Sequence, residues 1–213
     1  MPAPRTAPGN QVCDGGQPQR HRKRRLREAR RCLRGEGRRD DWTEREVERY
    51  ASVVNARVYL ETTIISYLVG WLNQHDLYVA AQQEYTREWW INQRHAYQLF
   101  ASAVVVKEAR DGNAELAEAR LGFLKDTSLL EVTEAADHLK SELLHHAALP
   151  RKAELDALHI AVAAVHGMDY LLSWNCKHIA NAVTLPRVYA ICRSAGYEPP
   201  FVCTPFELKE GKQ

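Results

Sequence analysis

From Arg57 onward, the sequence alternates between short segments rich in β-formers and longer segments with helical periodicity. The predicted strands are 56–61, 97–102, 128–132, 170–174 and 200–204. Parallel strands need a crossover of a dozen or more residues, usually a helix, and such crossovers are right-handed. The alternation therefore predicts an α/β domain. We expect a three-layer α/β/α sandwich whose mostly parallel, about five-stranded sheet is covered on both faces.

The helical segments are defined by apolar periodicity and by capping residues. The predicted helices are 62–68, about 76–95, 103–111, about 114–125, 134–147, 154–166 and 186–195. Thr62 or Thr63 is expected to cap the first helix, and Ser102 the third. The second helix carries one apolar stripe, formed by Leu77, Ala81, Tyr85 and Trp89. Residues 154–166 are apolar nearly all the way round, as expected for a helix buried against a sheet.

Residues 1–56 differ from the rest of the chain in charge. They hold 14 Lys and Arg against eight Asp and Glu, whereas residues 57–213 hold 15 against 19. Residues 1–39 are rich in Arg, Gly and Pro, so we expect a disordered basic tail that is either a non-specific RNA tether or simply solvated. The predicted organisation is a tail at 1–39, a linking helix at 40–56, a folded domain at 57–208 and a C-terminal tail at 209–213.

The hydropathy pattern and the cysteines indicate where in the cell the protein is expected. No apolar run approaches the ~20 residues that span a bilayer, and the N-terminus lacks the apolar stretch of a secretory signal. The five cysteines are odd in number and show no CxxC spacing, so we expect free thiols. The sequence therefore predicts a cytoplasmic protein without a membrane segment.

Three acidic residues lie in apolar sequence: Glu61 in VYLETTIISYL, Glu108 in SAVVVKEARDG and Asp156 in ELDALHIAVAAVHG. A carboxylate is rarely buried unless it is paired or bound to a metal. Glu61 ends the first predicted strand, and Asn175 follows the fourth. Because sites in α/β sheets form at the carboxyl ends of strands, these side chains are expected to converge there. Oxygen ligands without Cys or His at metal spacing favour Mg²⁺ or Mn²⁺.

Each acid also has a separate structural explanation. Glu61 alone would cap the following helix, Glu108 would pair with Lys107 or Arg110, and Asp156 would be a helix-start acid. Their common order and topology favour one shared cation. Without that cation the carboxylates are expected to repel, so neutralising one should stabilise the metal-free protein or leave it unchanged.

The order of four motifs resembles the PIN-domain ribonucleases, in particular the toxins of VapBC-type toxin–antitoxin pairs. The motifs are LETTIISYL, SAVVVKE, DALHIAVAA and LLSWNCKHI, within about residues 57–206. The resemblance implies a PIN-like fold that binds Mg²⁺ or Mn²⁺, cleaves RNA, is neutralised by a cognate antitoxin and forms a homodimer. It implies that Glu61, Glu108 and Asp156 are catalytic and bind the metal, and that Asn175 is the fourth catalytic residue.

The sequence departs from the family pattern at three positions. The first acid is usually Asp, and Glu61 is one methylene longer. The fourth position is often Asp, whereas Asn175 is neutral, and His178 stands where many relatives carry a second acid. The missing fourth acid leaves open a catalytically weak PIN-fold scaffold that binds RNA or protein. A DNA-directed, structure-specific nuclease with the same metal chemistry is a further alternative.

Several residues beside the acids are expected to contact the substrate: Thr62, Thr63, Arg151, Trp174 and Lys177. Since the domain is acidic, RNA phosphates can approach only if basic residues line the rim and a cation lies at the centre. No serine lies in a nucleophile-elbow pattern, so hydrolysis by a metal-activated water is the expected chemistry. His159 is expected to lie in the core and to bond locally.

Overall fold

The computed structural model describes residues 56–146 and 148–208, in which five strands alternate with seven α-helices. The strands are β1 (Ala56–Leu60), β2 (Tyr97–Ser102), β3 (Ser128–Leu130), β4 (Tyr170–Leu172) and β5 (Phe201–Cys203). The helices are α1 (Thr62–Val69), α2 (Leu77–Asn92), α3 (Ala103–Ala109), α4 (Ala114–Leu124), α5 (Glu134–His145), α6 (Glu154–Val165) and α7 (Leu185–Ser194). The predicted tail, the linking helix up to residue 55 and the C-terminal tail at 209–213 lie outside the described residues.

The five strands form one parallel sheet in the order β3-β2-β1-β4-β5. The chain runs outward from β1 to β2 and β3, then returns to the other side of β1 for β4 and β5. The carboxyl ends of β1 and β4 therefore flank the point where the strand order reverses. Ligands bind at this position in open α/β sheets. The predicted parallel sheet is confirmed.

The helices form two layers. α1 packs against α2, α3 and α4, whereas α5 packs against α6 and α7. Right-handed crossovers in opposite directions along a sheet place their helices on opposite faces. The central strand is accordingly covered on both sides, and Val58, Tyr59 and Leu60 are fully buried. The predicted α/β/α sandwich is confirmed.

The most deeply buried helix is α6. Eight consecutive residues, 157–164, are buried, as its all-round apolar sequence predicted. The buried face predicted for α5 is also present, because Leu139 and Leu143 are inaccessible to solvent. Among the described helices, none combines the length and apolarity needed to cross a membrane.

The apolar stripe predicted for α2 is present only in its second half, where Trp89 is fully buried and Tyr85 is half-buried. It is wrong in the first half, because Leu77 is 84% exposed and Ala81 is also exposed. The other buried side chains of α2 are Gln82, Gln83, Thr86 and Trp90. Gln83 donates to the backbone oxygen of Trp71 and accepts from the backbone N–H of Asn73, each at 2.9 Å. Buried polar groups are tolerated when they find such partners, and periodicity of apolar residues does not detect them.

Candidate active site

Glu61 lies directly after β1, which ends one residue earlier than predicted. Its backbone N–H donates to the carbonyl of Leu172 on β4 at 3.1 Å, which fixes Glu61 where the strand order reverses. Its Oε2 accepts from the hydroxyls of Thr63 at 2.5 Å and Ser173 at 2.8 Å. Glu61 is only 5% exposed and makes no side-chain cap to α1. The explanation of Glu61 as a simple helix cap is therefore wrong.

Glu108 lies in the last turn of α3 and points to the same edge of the sheet as Thr62. Its Oε2 accepts from the Thr62 hydroxyl and lies 2.9 Å from Nε2 of His159. Burial raises the pKa of the Glu108 carboxyl, but the hydrogen bond and charge of His159, with smaller effects of Thr62 and Lys107, outweigh burial and lower that pKa overall. The Glu108 side chain is therefore a carboxylate at neutral pH.

A chain of buried polar groups continues from Glu108. His159 is 1% exposed, and its Nδ1 lies 2.8 Å from the hydroxyl of Tyr59. The Tyr59 hydroxyl in turn lies 2.7 Å from Oγ of Ser102. Burial raises the pKa of Tyr59, so it remains a neutral phenol. Ser102 makes no side-chain cap to α3, contrary to the prediction, because its hydroxyl bonds Tyr59.

Asp156 lies in the first turn of α6, where the helix dipole stabilises its negative charge. Its Oδ1 accepts from Nδ2 of Asn175 at 2.8 Å, and its Oδ2 lies 2.7 Å from Nδ1 of His178. The backbone N–H of His178 donates to Oδ1 of Asn175 at 3.2 Å. Asp156, Asn175 and His178 are thus joined by a ring of three hydrogen bonds. Their side chains are only partly accessible to solvent.

Ser173 connects the two parts of the site. Its hydroxyl donates to Glu61 and accepts from the backbone N–H of Asn175 at 3.0 Å. A continuous series of hydrogen bonds thus runs from Asp156 through Asn175 and Ser173 to Glu61. Glu108 reaches the same edge through Thr62, the residue after Glu61. All four predicted catalytic residues therefore lie at the carboxyl edge of the sheet.

The donor chemistry of this edge fits a hard divalent cation. Glu61, Glu108 and Asp156 offer carboxylate oxygens, and each has hydrogen-bond donors that orient it, as is usual for metal-binding carboxylates. Within residues 56–146 and 148–208, however, no three His, Cys, Asp or Glu side chains are arranged as ligands of one ion. The single cation shared by the three acids therefore stays a prediction.

A model of the PIN-domain family matches residues 58–175. The chain belongs to the PIN-domain family. The matched span contains Glu61, Glu108, Asp156 and Asn175, so the whole candidate site lies inside the PIN domain. No curated protein matches the chain significantly.

Two solved structures are similar to this chain. One is VapC20 of Mycobacterium tuberculosis, described as a toxin that cleaves the sarcin–ricin loop: it is 17% identical, with a TM-score of 0.46, over 59% of this chain and 95% of that one. The other is VapBC2 from Rickettsia felis bound to a DNA fragment from its promoter: it is 16% identical, with a TM-score of 0.41, over 70% of this chain and 98% of that one.

Three of the residues predicted to bind substrate are held by bonds within the PIN domain. The hydroxyls of Thr62 and Thr63 donate to Glu108 and Glu61 and so orient the acids. Trp174 donates its backbone N–H to Thr63 Oγ1 at 2.9 Å and its indole N–H to Thr86 Oγ1 at 2.7 Å. These contacts explain their positions without a substrate, and their contact with RNA stays a prediction.

The two basic residues predicted to bind substrate lie on the surface. Arg151 precedes α6 by a short turn, and Lys177 follows Asn175 by two residues; both are exposed. Each is close in sequence to a residue of the Asp156–Asn175–His178 group. Their exposure is consistent with a basic rim, which also stays a prediction.

Sequence reasoning missed the partners that hold the acids. It placed His159 in the core but did not pair it with Glu108, and it noted His178 only as a departure from the family pattern. It assigned no part to Tyr59 or Ser173. A signal was available for His159, because it follows Asp156 by three residues and so shares a helix face with it.

Proposed function

We propose that this PIN domain is an endoribonuclease that depends on Mg²⁺ or Mn²⁺. The observation that supports the proposal best is the hydrogen-bonded set of Glu61, Glu108, Asp156 and Asn175 at the edge where the strand order reverses. The three acids would hold the metal ion. When bound, such an ion activates water and stabilises the charge that develops on a phosphodiester during hydrolysis.

The remaining residues of the site orient the acids. Thr63 and Ser173 hold the carboxylate of Glu61, while Thr62 and His159 hold that of Glu108. Asp156 is held by Asn175 and His178. A carboxylate with fixed orientation loses less entropy when it binds a ligand, so these contacts prepare the site for a cation.

RNA is the proposed substrate, and its phosphates need positive charge on an acidic domain. Arg151 and Lys177 are exposed cations close in sequence to the site. We propose that they contact the backbone on either side of the scissile bond. Thr62, Thr63 and Trp174 lie beside the acids, and we propose that they also contact the RNA there.

We further propose that the protein is a cytoplasmic toxin of the VapBC type, neutralised by a cognate antitoxin and homodimeric. The motif resemblance and the family membership support this role. Large apolar side chains exposed near the start of α2 support a protein partner: Trp71 is 88%, Leu77 84% and Tyr78 65% exposed. Growth arrest on expression, relieved by coexpression of the adjacent reading frame, and a dimeric mass by light scattering are the expected results.

One observation favours a second function, a scaffold that binds RNA or protein without cleavage. Both oxygens of Asp156 have partners, Asn175 and His178, and these residues stand where the family pattern often has acids. A site with fewer negative charges binds cations less tightly. In a scaffold, the hydrogen bonds alone would keep Asp156 in place.

Incubation of the purified full chain with mixed RNA separates the two functions. For a nuclease we expect cleavage in Mg²⁺ or Mn²⁺, none in EDTA, and products with 5′-phosphate and 3′-hydroxyl ends. Asp156→Asn should abolish cleavage while its circular dichroism spectrum stays native. Equal cleavage in EDTA contradicts a metal mechanism, and RNA binding without cleavage under all conditions supports the scaffold.

A further inference from the structure

We propose that His159 is a positioning residue that fixes the Glu108 carboxylate for metal binding, and that α6 thereby sets Asp156 and Glu108 relative to each other. The inference rests on the proposed metal site. Its basis is geometric: the ring of His159 is buried, with Nε2 2.9 Å from Glu108 and Nδ1 2.8 Å from Tyr59. The ring therefore has a partner on each side.

Every polar group of this network has a partner whether the His159 ring is neutral or protonated. Nε2–H of His159 donates to Glu108 in both forms. The Tyr59 hydroxyl donates to Nδ1 of the neutral ring, or accepts from the protonated ring and donates to Ser102. A fully satisfied buried network is rigid. Apolar groups of the same shape would serve stability about equally well, because replacing both partners of a buried hydrogen bond in this way is often nearly neutral. The network is better explained by what it does to Glu108.

The two acids lie in helices of different length and burial. α6 contains eight consecutive buried residues, whereas α3 has only seven residues, three of which are buried. Glu108 is the second-to-last residue of α3 and lies between the exposed Lys107 and the buried Ala109. Its side chain is therefore positioned from the end of a short helix.

α6 provides a second contact that fixes the position of the Glu108 carboxylate. His159 follows Asp156 by three residues, so both side chains lie on one face of α6 about one turn apart. Asp156 reaches Asn175, and His159 reaches Glu108. One buried helix thus holds one acid directly and the other through an imidazole ring.

Two substitutions of His159 test this inference as a matched pair. The amide nitrogen of Gln reaches the position of imidazole Nε2, whereas the shorter amide of Asn reaches only that of Nδ1. His159→Asn should therefore lose the bond to Glu108 and weaken Mn²⁺ binding roughly 10–100-fold, the usual effect of removing a group that orients a metal ligand. His159→Gln should retain most of the wild-type affinity. Calorimetric titration of RNA-free protein with Mn²⁺ measures both.

Two further variants control for stability. Tyr59→Phe removes the hydroxyl that bonds Nδ1 with little change in volume, and it should weaken Mn²⁺ binding in the same direction but less. Tyr189→Phe removes a comparable bond, from the N–H of Val202 at 3.1 Å, away from the site. It should lower the melting temperature without changing Mn²⁺ affinity. If His159→Asn does not fold, Tyr59→Phe decides the question.

The outcomes separate this inference from the proposed function. The positioning role is overturned if His159→Asn binds Mn²⁺ as tightly as wild type does. Where His159→Asn is unfolded, the same result in Tyr59→Phe overturns it. Equal loss of affinity in His159→Asn and His159→Gln overturns it too, because rescue by Gln is its specific consequence. Wild-type protein that binds Mn²⁺ but cleaves no RNA contradicts the nuclease alone, whereas protein that binds no Mn²⁺ contradicts both.

Discussion

The substitution Asp156→Asn tests the metal site through stability, without requiring a known RNA target. Asp156 sits at the N-terminus of α6 and bonds Asn175 and His178. From the sequence alone, neutralising one of several repelling acids is expected to stabilise the metal-free protein. The structure reverses the expected sign of the change in stability, because Asp156 has two hydrogen-bond donors as partners. Its replacement should now lower stability even in EDTA.

The size of that loss follows from the contacts. An Asn retains the shape but has one acceptor oxygen in place of two, so it can accept from only one of the two partners, and it loses the charge at the helix N-terminus. We take the combined loss as about 1–2 kcal/mol. For a chain of this size, each kcal/mol shifts the melting temperature by about 2–4 °C. In EDTA, Asp156→Asn should therefore melt about 2–8 °C below wild type.

Bound Mg²⁺ should widen the difference in melting temperature between wild type and Asp156→Asn. At a Mg²⁺ concentration about 100 times its Kd, binding stabilises the wild type by about 2.7 kcal/mol, which is about 5–11 °C. A variant whose affinity is about 100-fold lower gains only about 0.4 kcal/mol at the same concentration. The rise in melting temperature between EDTA and Mg²⁺ should thus nearly vanish in Asp156→Asn.

Differential scanning fluorimetry of wild type and variant in EDTA and in a Mg²⁺ series gives this comparison. Asp137→Asn is the matched control, because Asp137 is also an acid in the first turn of a helix, α5, and its side chain is 55% exposed beside Lys140. It should keep the wild-type response to Mg²⁺. An Asp156→Asn protein that responds to Mg²⁺ as strongly as wild type would refute Asp156 as a metal ligand.

Three further predictions concern charged residues. Asn175→Asp should tighten Mn²⁺ binding in titrations without RNA and lower the melting temperature in EDTA, because it adds a charge beside Asp156; unchanged affinity would remove position 175 from the site. Replacing Arg151 and Lys177 by Ala should weaken RNA binding and flatten its salt dependence in filter-binding assays; an unchanged salt slope would place RNA elsewhere. Deleting 1–39 should weaken RNA binding uniformly across sequences without moving the cleavage position, whereas a moved position would mean that the tail reads sequence.

The fold was predictable because its pattern is local and repeated. β-formers at the five strands and buried periodicity in α5 and α6 can each be recognised within a short window of sequence. The helix α2 was predictable, but its buried face was not, because that face includes Gln82, Gln83 and Thr86. Gln83 and Thr86 have hydrogen-bond partners in loops, such as Trp174, which lies 88 residues from Thr86. Apolar periodicity carries no information about such partners.

The candidate site was likewise predictable only in part. The position of Glu61, Asp156 and Asn175 at one edge follows from parallel strands, whose carboxyl ends coincide. Their hydrogen-bond partners depend on tertiary structure: Glu108 and His159 are 51 residues apart, and Glu61 and Ser173 are 112 apart. No local pattern specifies contacts at those separations. The sequence therefore indicates where the acids lie but not what orients them.

These partners determine which measurement distinguishes a nuclease from a scaffold. Three carboxylates at one edge would repel one another if they had no other neighbours. Glu108 and Asp156 each contact a histidine, and Glu61 accepts from two hydroxyls, so the metal-free edge has its own stabilising contacts. Survival of the fold in EDTA is thus expected of both functions. Among measurements of stability, a cation-dependent gain that disappears with Asp156 favours the nuclease, because a scaffold held by hydrogen bonds alone has no such linkage.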